Sequence, residues 1–361
     1  MTFVSLLLDG LALGCIYALI ALGYTMVYGI IKLINFAHGE FYMIGAYAAF
    51  ATLAVVRTAG LGEPYDTIAL FLLAMAAGGL AAGVLAVIVE KLAYRPLRRA
   101  SRIAALLTAL GVSLFLQNAA LKVFSPNTRP FRDPVIITDR RYPRIALPAA
   151  GVGPDAVLER DVYWRRGDGT EEFLAEAGRP VAERGYVAAA AAGVGGFYYY
   201  PAVTVRRKQI IIWGSTLAMA LCLHALVKYT KVGKAMRAVS YDFETAELMG
   251  INVDRVISFT FFVGAVLAGA GAVLVGMYYG SIKPTMGVMY GLKAFVAAVL
   301  GGIGSIPGAV LGGLALGTAE SLVQVSSRTA PYQDAFAFAV LVFILVFLPN
   351  GFFGRQEREK V

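Results

Sequence analysis

The chain has 361 residues, of which 58% are hydrophobic and only 15% charged, against about 25% charged in an ordinary soluble domain. With 40 glycines and a mean hydropathy of +0.69, this excludes a disordered chain, a collagen-like fibre, a disulfide scaffold and an ordinary cytosolic enzyme, and indicates a membrane protein. The net charge of +9 lies beside apolar runs, where a basic surplus reports membrane orientation and not nucleic-acid binding.

In chain order, the first predicted element is an apolar run over 4–30. It lacks a basic leader region and continues past twenty residues, so it reads as a span and not as a cleavable signal. A segment over 38–56 opens on His38-Gly39-Glu40 and reads as interrupted. Spans over 67–89 and 103–123 follow, each long enough to cross a bilayer. Residues 125–208 are different in kind, carrying 13 Lys+Arg and 10 Asp+Glu out of the chain's 55 charges. They read as a soluble insert. A rival reading turns 186–203 into a further span. Beyond the insert come spans over 209–228, 256–277 and 305–324 and a shorter one over 334–349. Another segment, 289–302, reads as broken by Lys293 and ended by Gly301-Gly302.

The expected fold is therefore an all-α polytopic membrane protein of eight or nine segments, some short or broken, with one soluble external insert. It divides into an N-terminal transmembrane half (1–124), an extracytoplasmic insert (125–208) and a C-terminal transmembrane half (209–361) containing a loop over 229–255. Basic residues mark the cytoplasmic loops. The 90–102 loop carries Lys91, Arg95, Arg98, Arg99 and Arg102, the 228–255 loop carries Lys228, Lys231, Lys234, Arg237 and Arg255, and the tail carries Arg355, Arg358 and Lys360. This places the C-terminus in the cytoplasm and the insert outside. Loops longer than about 60 residues largely escape the rule, so the insert's own basic residues do not oppose it.

The catalytic inventory is nearly empty. There is no GxxxxGK[ST] phosphate loop, no HExxH, no CxxC and no GxSxG. No catalytic residue, metal site or cofactor is expected, and ATP hydrolysis cannot come from this chain. Cys15 and Cys222 lie in apolar runs as buried small hydrophobes. Polar side chains stand in or near the spans at Asp9, Asn35, His38, Glu40, Gln117, Asn118, Glu320 and Gln324. Such groups face a cavity or a partner; for Gln117, Asn118 and Gln324 the reading is a hydrogen bond between helices. Glycines four apart (Gly10/Gly14, Gly79/Gly83, Gly304/Gly308/Gly312, Gly313/Gly317) predict close helix packing in lipid. Each half of the chain holds one interrupted segment, and paired interruptions point to a transport path.

In the 229–255 loop, residues 242–249 predict a short helix capped by Asp242 and ended at Gly250. Val239, Phe243, Ala246, Leu248 and Met249 give it an apolar face, suited to headgroups or to a groove on another protein.

Glu244-Thr245-Ala246, followed after three residues by Gly250, resembles the EAA-xxx-G loop through which permeases of ATP-binding cassette importers engage their ATPases, with Thr245 departing from the usual Ala. The stretch Tyr17 to Ile31 with Ile34-Asn35-Phe36-Ala37-His38-Gly39-Glu40 resembles the opening of LivH-type branched-chain amino-acid permeases. So do Ala93-Tyr94-Arg95-Pro96, Phe115-Leu116-Gln117-Asn118, the run from Met249 to Ile257, and Lys293-Ala294-Phe295 with the Gly-rich run from Ala298 to Ala309. The likeness covers roughly 1–124 and 209–358; the long insert departs from it. The resemblance implies an inner-membrane importer subunit for Leu, Ile or Val, with urea and short amides as the alternative cargo within the family. An ATP-independent secondary transporter is the alternative from another class. The implied partners are a second, LivM-type permease, two cytoplasmic ATPases, an external amino-acid-binding protein and membrane lipid, with no nucleic acid. It implies ATPase coupling through Arg237, Glu244, Thr245, Ala246 and Gly250. It also implies a path lined by Asn35, His38, Glu40, Tyr42, Lys293 and Ser305.

Overall fold

The structure is a computed structural model that describes residues 3–33, 35–60, 68–97, 100–132, 134, 145–147, 162–166, 171–175, 195–199, 205, 207–325, 329–348 and 351–353. Most of the insert, Arg98, Arg99 and the basic tail residues lie outside the described residues. The chain forms two compact units. One comprises Met1–Ser5 and Thr138–Arg207, the other Leu6–Ile137 and Lys208–Val361.

The larger unit is a helical membrane body. Its helices are α1 (Phe3–Ile31), α2 (His38–Thr58), α3 (Ile68–Val89), α4 (Arg102–Phe124), α5 (Arg207–Tyr229), α6 (Lys231–Tyr241), α7 (Phe243–Leu248), α8 (Val253–Tyr279), α9 (Met286–Gly301), α10 (Ile306–Val323) and α11 (Gln333–Phe347). Eight described helices are long and apolar enough to cross a membrane. The ninth segment, α9, has 16 residues and so spans about 24 Å. Antiparallel α10 packs along it from Gly301 against Gly308 to Lys293 against Glu320. At its end, the amides of Phe352 and Phe353, just beyond α11, donate to the carbonyls of Leu300 (3.0 Å) and Gly301 (3.1 Å).

Side chains close several helix starts, satisfying amides that have no partner within the helix. Ser101 accepts from Ala104 N on α4, Thr230 from Gly233 N on α6, Asn252 from Arg255 N on α8, and Ser305 from Gly308 N on α10. Beyond Val89, α3 runs on through a π turn at Glu90–Tyr94 and a short 3₁₀ turn at Arg95–Leu97. The core runs along α1, where Ile16 to Leu22 are wholly buried, and along α8. Leu107, Leu114, Phe115, Leu217, Leu221, Val342 and Phe343 project outward from α4, α5 and α11, as lipid-facing side chains do in a membrane body.

Two short strands, β1 (Arg129–Pro130) and β6 (Ser281–Ile282), pair antiparallel in this unit. Phe131, directly after β1, is buried. In the smaller unit, β2 (Ile145–Leu147), β3 (Val162–Arg166), β4 (Glu171–Ala175) and β5 (Gly195–Tyr199) form an antiparallel sheet of order β2-β5-β3-β4. Within the stretch of the rival span, the described residues 195–199 are a strand hydrogen-bonded on both sides and not part of a membrane helix; the rest of 186–203 lies outside the described residues.

The interrupted segments need correction. Residues 38–58 form one continuous helix and 286–301 another, with no break at Lys293. The irregular backbone instead precedes them, at 32–33, 35–37 and 283–285, and follows α9 at 302–305. Lys293 fits inside a helix because two carboxylates pair with its charge. Gly304 also leaves its expected packing series: it lies in the turn before α10 with φ +96°. The other glycines pack as expected, Gly14 against Leu314 and Gly83 against Phe262. The side chain of Asn118 donates to Leu114 O of its own helix at 2.7 Å and not to a neighbouring helix, whereas Gln324 at the end of α10 does reach Gln333 on α11.

Candidate functional site: a midmembrane crossing and a docking elbow

Asn35 organises the irregular approach to α2. Its side-chain oxygen accepts from Ala37 N at 3.0 Å and from the Tyr94 hydroxyl at 2.7 Å, an Asx turn that substitutes for a helical cap. His38 begins α2 against α1, its ring 4.6 Å from that of Tyr24, and it is bonded to the backbone of Ile20. The next residue, Gly39, lies against Gly287 and Gly291 of α9. A Cβ on Gly39 would come within 3.1 Å of the Gly291 Cα, so this crossing requires residues without side chains.

Glu40 lies at the same crossing, 1% exposed. One of its oxygens is 3.4 Å from the hydroxyl of Ser113, near the midpoint of the 23-residue α4. Its other oxygen has no hydrogen-bond partner among the described residues. The Tyr42 hydroxyl, His38 Nε2, Asn35 Nδ2 and Thr25 Oγ1 are likewise buried and without partners. The ring of Tyr42 stands 5.6 Å from that of Tyr290 on α9. Four of the expected path residues, Asn35, His38, Glu40 and Tyr42, thus gather around the start of α2 where it meets α9.

Lys293 and Ser305 do not join them there. Lys293 pairs with Glu320 of α10 and, at 2.6 Å, with Asp334 of α11. The Tyr17 hydroxyl donates to the other Glu320 oxygen at 2.7 Å. Lys293 and Glu320 are sealed from solvent, while the Asp334 side chain is 43% exposed. This network joins α1, α9, α10 and α11, and sequence reading missed its partners: lone carboxylates in or near apolar runs are visible, but their pairing with Lys293 spans 27 and 41 positions. Ser305 caps α10. Among the described residues, no group of three metal-ligating side chains comes together.

The second feature is an elbow between α5 and α8. Sequence reading missed α6, whose Met236 and Val239 face inward. Arg237 on α6 donates to the Val227 carbonyl at the end of α5, so its charged head is turned back onto the body. α7 follows as expected. Asp242 accepts from Glu244 N (2.9 Å) and Thr245 N (3.2 Å), and the Thr245 hydroxyl donates to it at 2.8 Å. These bonds, led by that of the Thr245 hydroxyl, hold the Asp242 carboxyl below its usual range. At the far end, Gly250 N donates to Glu247 O and Ile251 N to Ala246 O. This two-bond closure places Gly250 at φ +81°, in the left-handed region that glycine enters at little cost. Ala246 is buried, whereas Tyr241 and Leu248 are each 88% exposed and Met249 79%. The elbow is tied below to the body, since Asp254 pairs with Arg95 and Ser258 donates to the buried Glu90 at 2.6 Å.

The family described as branched-chain amino acid transport system, permease component, matches residues 6–345. The chain belongs to that family. Its relatives include the high-affinity branched-chain amino acid transport system permease proteins LivH of Salmonella typhimurium and LivH of Escherichia coli K12. Each is 39% identical over 99% of this chain and 98% of its own length. BraD of Pseudomonas aeruginosa is 38% identical with the same coverage. A solved structure, PsaBC from Streptococcus pneumoniae in complex with Fab, aligns with a TM-score of 0.41 at 13% identity, covering 96% of this chain and 92% of that one. In this multi-pass member of the permease family, buried polar groups gather where α2 meets α9, and exposed apolar side chains mark the elbow between α5 and α8.

Proposed function

We propose that the chain is the membrane-spanning subunit of an ATP-binding cassette importer that carries leucine, isoleucine and valine across a bacterial inner membrane. The observation that carries this reading is the 38–39% identity, over nearly the whole length, to permeases named for branched-chain amino acid transport. Its partners are a second, LivM-type permease, two cytoplasmic ATPases that hydrolyse the ATP, and an external binding protein that delivers the amino acid. The basic loops over 90–102 and 229–255 and the C-terminus face the cytoplasm. The insert over 125–208 lies outside and widens the surface on which the binding protein docks.

The elbow is where the ATPases act. Tyr241, Leu248 and Met249 form its outward apolar edge, and Glu244, Thr245, Ala246 and Gly250 fix the shape of α7 beneath that edge. Arg237 braces α6 against α5. ATP-driven closure shifts the permease equilibrium only through unequal affinity of the ATPases for its two states, and α7 is the element that meets them. A push on α7 passes through the Asn252 cap into α8, and through Asp254–Arg95 and Ser258–Glu90 into the end of α3. α8 in turn lies against α2 and α3 at Gly45, Gly78 and Gly269, which brings the motion to the α2–α9 crossing. Asn35, His38, Glu40 and Tyr42 line the path there. Lys293 holds the α9–α11 wall of the path together, and Ser305 shapes the turn at its end.

Reconstitution of the five components in proteoliposomes tests the assignment. Leucine uptake should require ATP, both ATPases and the binding protein. Uptake that survives complete ATP depletion under a proton gradient, or transport of urea and short amides but not leucine, would overturn it.

A further inference from the structure

We propose that the crossing of α2 and α9 is an occluded site for the zwitterionic backbone of an α-amino acid, with the Glu40 carboxylate receiving the ammonium group and the first turn of α9 receiving the carboxylate. This rests on the amino-acid cargo assigned above and specifies how the cargo is read.

Two half-satisfied groups of opposite character meet at this point. Glu40 is buried beside the middle of α4, and one of its oxygens has no partner. Among the described residues no cation pairs with it. Lys293, two turns along α9, is engaged by Glu320 and Asp334. A carboxylate held inside a membrane without a counter-charge is costly, and the cost is offset when a cation arrives.

Opposite Glu40 is the start of a 16-residue helix. Thr285 precedes α9 and makes no side-chain cap bond. The first amides of a helix lack intrahelical partners and carry the positive end of its dipole, which suits a carboxylate. Here Met286 N already donates to Lys283 O at 3.1 Å, so the amides of Gly287 and Val288 are the ones placed to receive it. The free Glu40 oxygen is turned toward this end: a Cβ placed on Gly287 would come 2.7 Å from it.

An α-amino acid carries its ammonium and carboxylate on one carbon, so it satisfies both groups at once. Urea or a simple amide brings no positive charge and leaves Glu40 uncompensated. Discrimination by an unpaired buried charge is strong, because the wrong ligand leaves that charge desolvated. The rings of Tyr42 and Tyr290 face each other at this crossing, and the Tyr24 side chain lies against Gly291; together they offer an apolar wall to the branched side chain. The crossing is closed in this structure, and the facing glycines Gly39, Gly287 and Gly291 let α9 part from α2 without interlocked side chains.

The test measures leucine moved per ATP hydrolysed by the complete reconstituted importer. Glu40→Gln should lower that ratio at least tenfold, and Glu40→Asp, which keeps the charge on a shorter stem, should recover a substantial part. An unchanged ratio in Glu40→Gln overturns the site. So does a proportional fall in uptake and ATP hydrolysis, which marks a merely structural residue. If Glu40→Gln fails to assemble, Glu40→Ala decides: a ratio at least tenfold below wild type supports the site and a wild-type ratio overturns it. A wild-type complex that moves urea but no leucine fails the cargo assignment instead, before any variant is compared.

Discussion

The Lys293–Glu320–Asp334 network makes a quantitative prediction. Replacing Lys293 by Met leaves the Glu320 carboxylate, 1% exposed, with only the Tyr17 hydroxyl at 2.7 Å. An uncompensated buried charge of this kind costs about 4 kcal/mol. Replacing Glu320 by Leu costs less, about 3 kcal/mol, because Lys293 keeps Asp334. The double variant removes both buried charges, releases the half-exposed Asp334 to solvent, and leaves only the Tyr17 hydroxyl without an acceptor, at about 2 kcal/mol. The two single changes together then lose about 7 kcal/mol and the double about 2, a coupling of about 5 kcal/mol, toward the upper end for close charge pairs. Reversible unfolding of the purified protein in mixed micelles, titrated with SDS, measures all four corners of the cycle. A coupling below about 1 kcal/mol would show that the pair does not hold α9 to α10.

Two further predictions concern the elbow. Gly250→Val places a β-branched residue at φ +81°, a strain of about 1–2 kcal/mol on a six-residue helix with little stability of its own. Co-purification of the ATPases should fall at least tenfold with unchanged permease yield, and wild-type recovery of the ATPases would refute this. The Asp242 carboxyl is held below its usual range by the Thr245 hydroxyl and the Thr245 and Glu244 amides. A depressed folded-state value means that the cap contributes fully above the ordinary carboxylate range and is lost only as pH falls through the lowered value. ATPase affinity should therefore stay flat from about pH 7.5 to about pH 5; a decline setting in near pH 5 that Asp242→Asn abolishes would contradict it.

Much of the elbow was legible in the sequence because its determinants are local. A capping Asp242, six helical residues and a closing Gly250 fall within nine positions, and each acts on backbone groups a few residues away. The same locality allowed Thr245, an apparent departure from the family pattern, to be accommodated: its hydroxyl reinforces the cap. α6 was missed because its charged face conceals Met236 and Val239 in a basic loop. The crossing was legible only in part. Asn35, His38 and Glu40 stood out as polar residues beside an apolar run. That Ser113 on α4 and Gly287 and Tyr290 on α9 would meet them depends on two other helices.

The sequence by itself determined the material and the order of the elements. A bilayer offers the backbone no hydrogen-bond partners, so every long apolar run must close its bonds internally as a helix, and the positions of the long spans follow from composition. Tertiary structure alone decided how the polar groups are satisfied. Lys293 looked like a helix breaker because its two carboxylates lie on other helices, and once they are in place α9 runs straight through it. Glu40 looked like one of several intramembrane polar groups. The fold distinguishes it, because packing supplies counter-charges to Lys293 and leaves one Glu40 oxygen without a partner at the start of α9. Pairing in three dimensions depends on which helices touch, and in lipid that is set by where glycines allow backbones to approach, as they do at Gly39, Gly287 and Gly291.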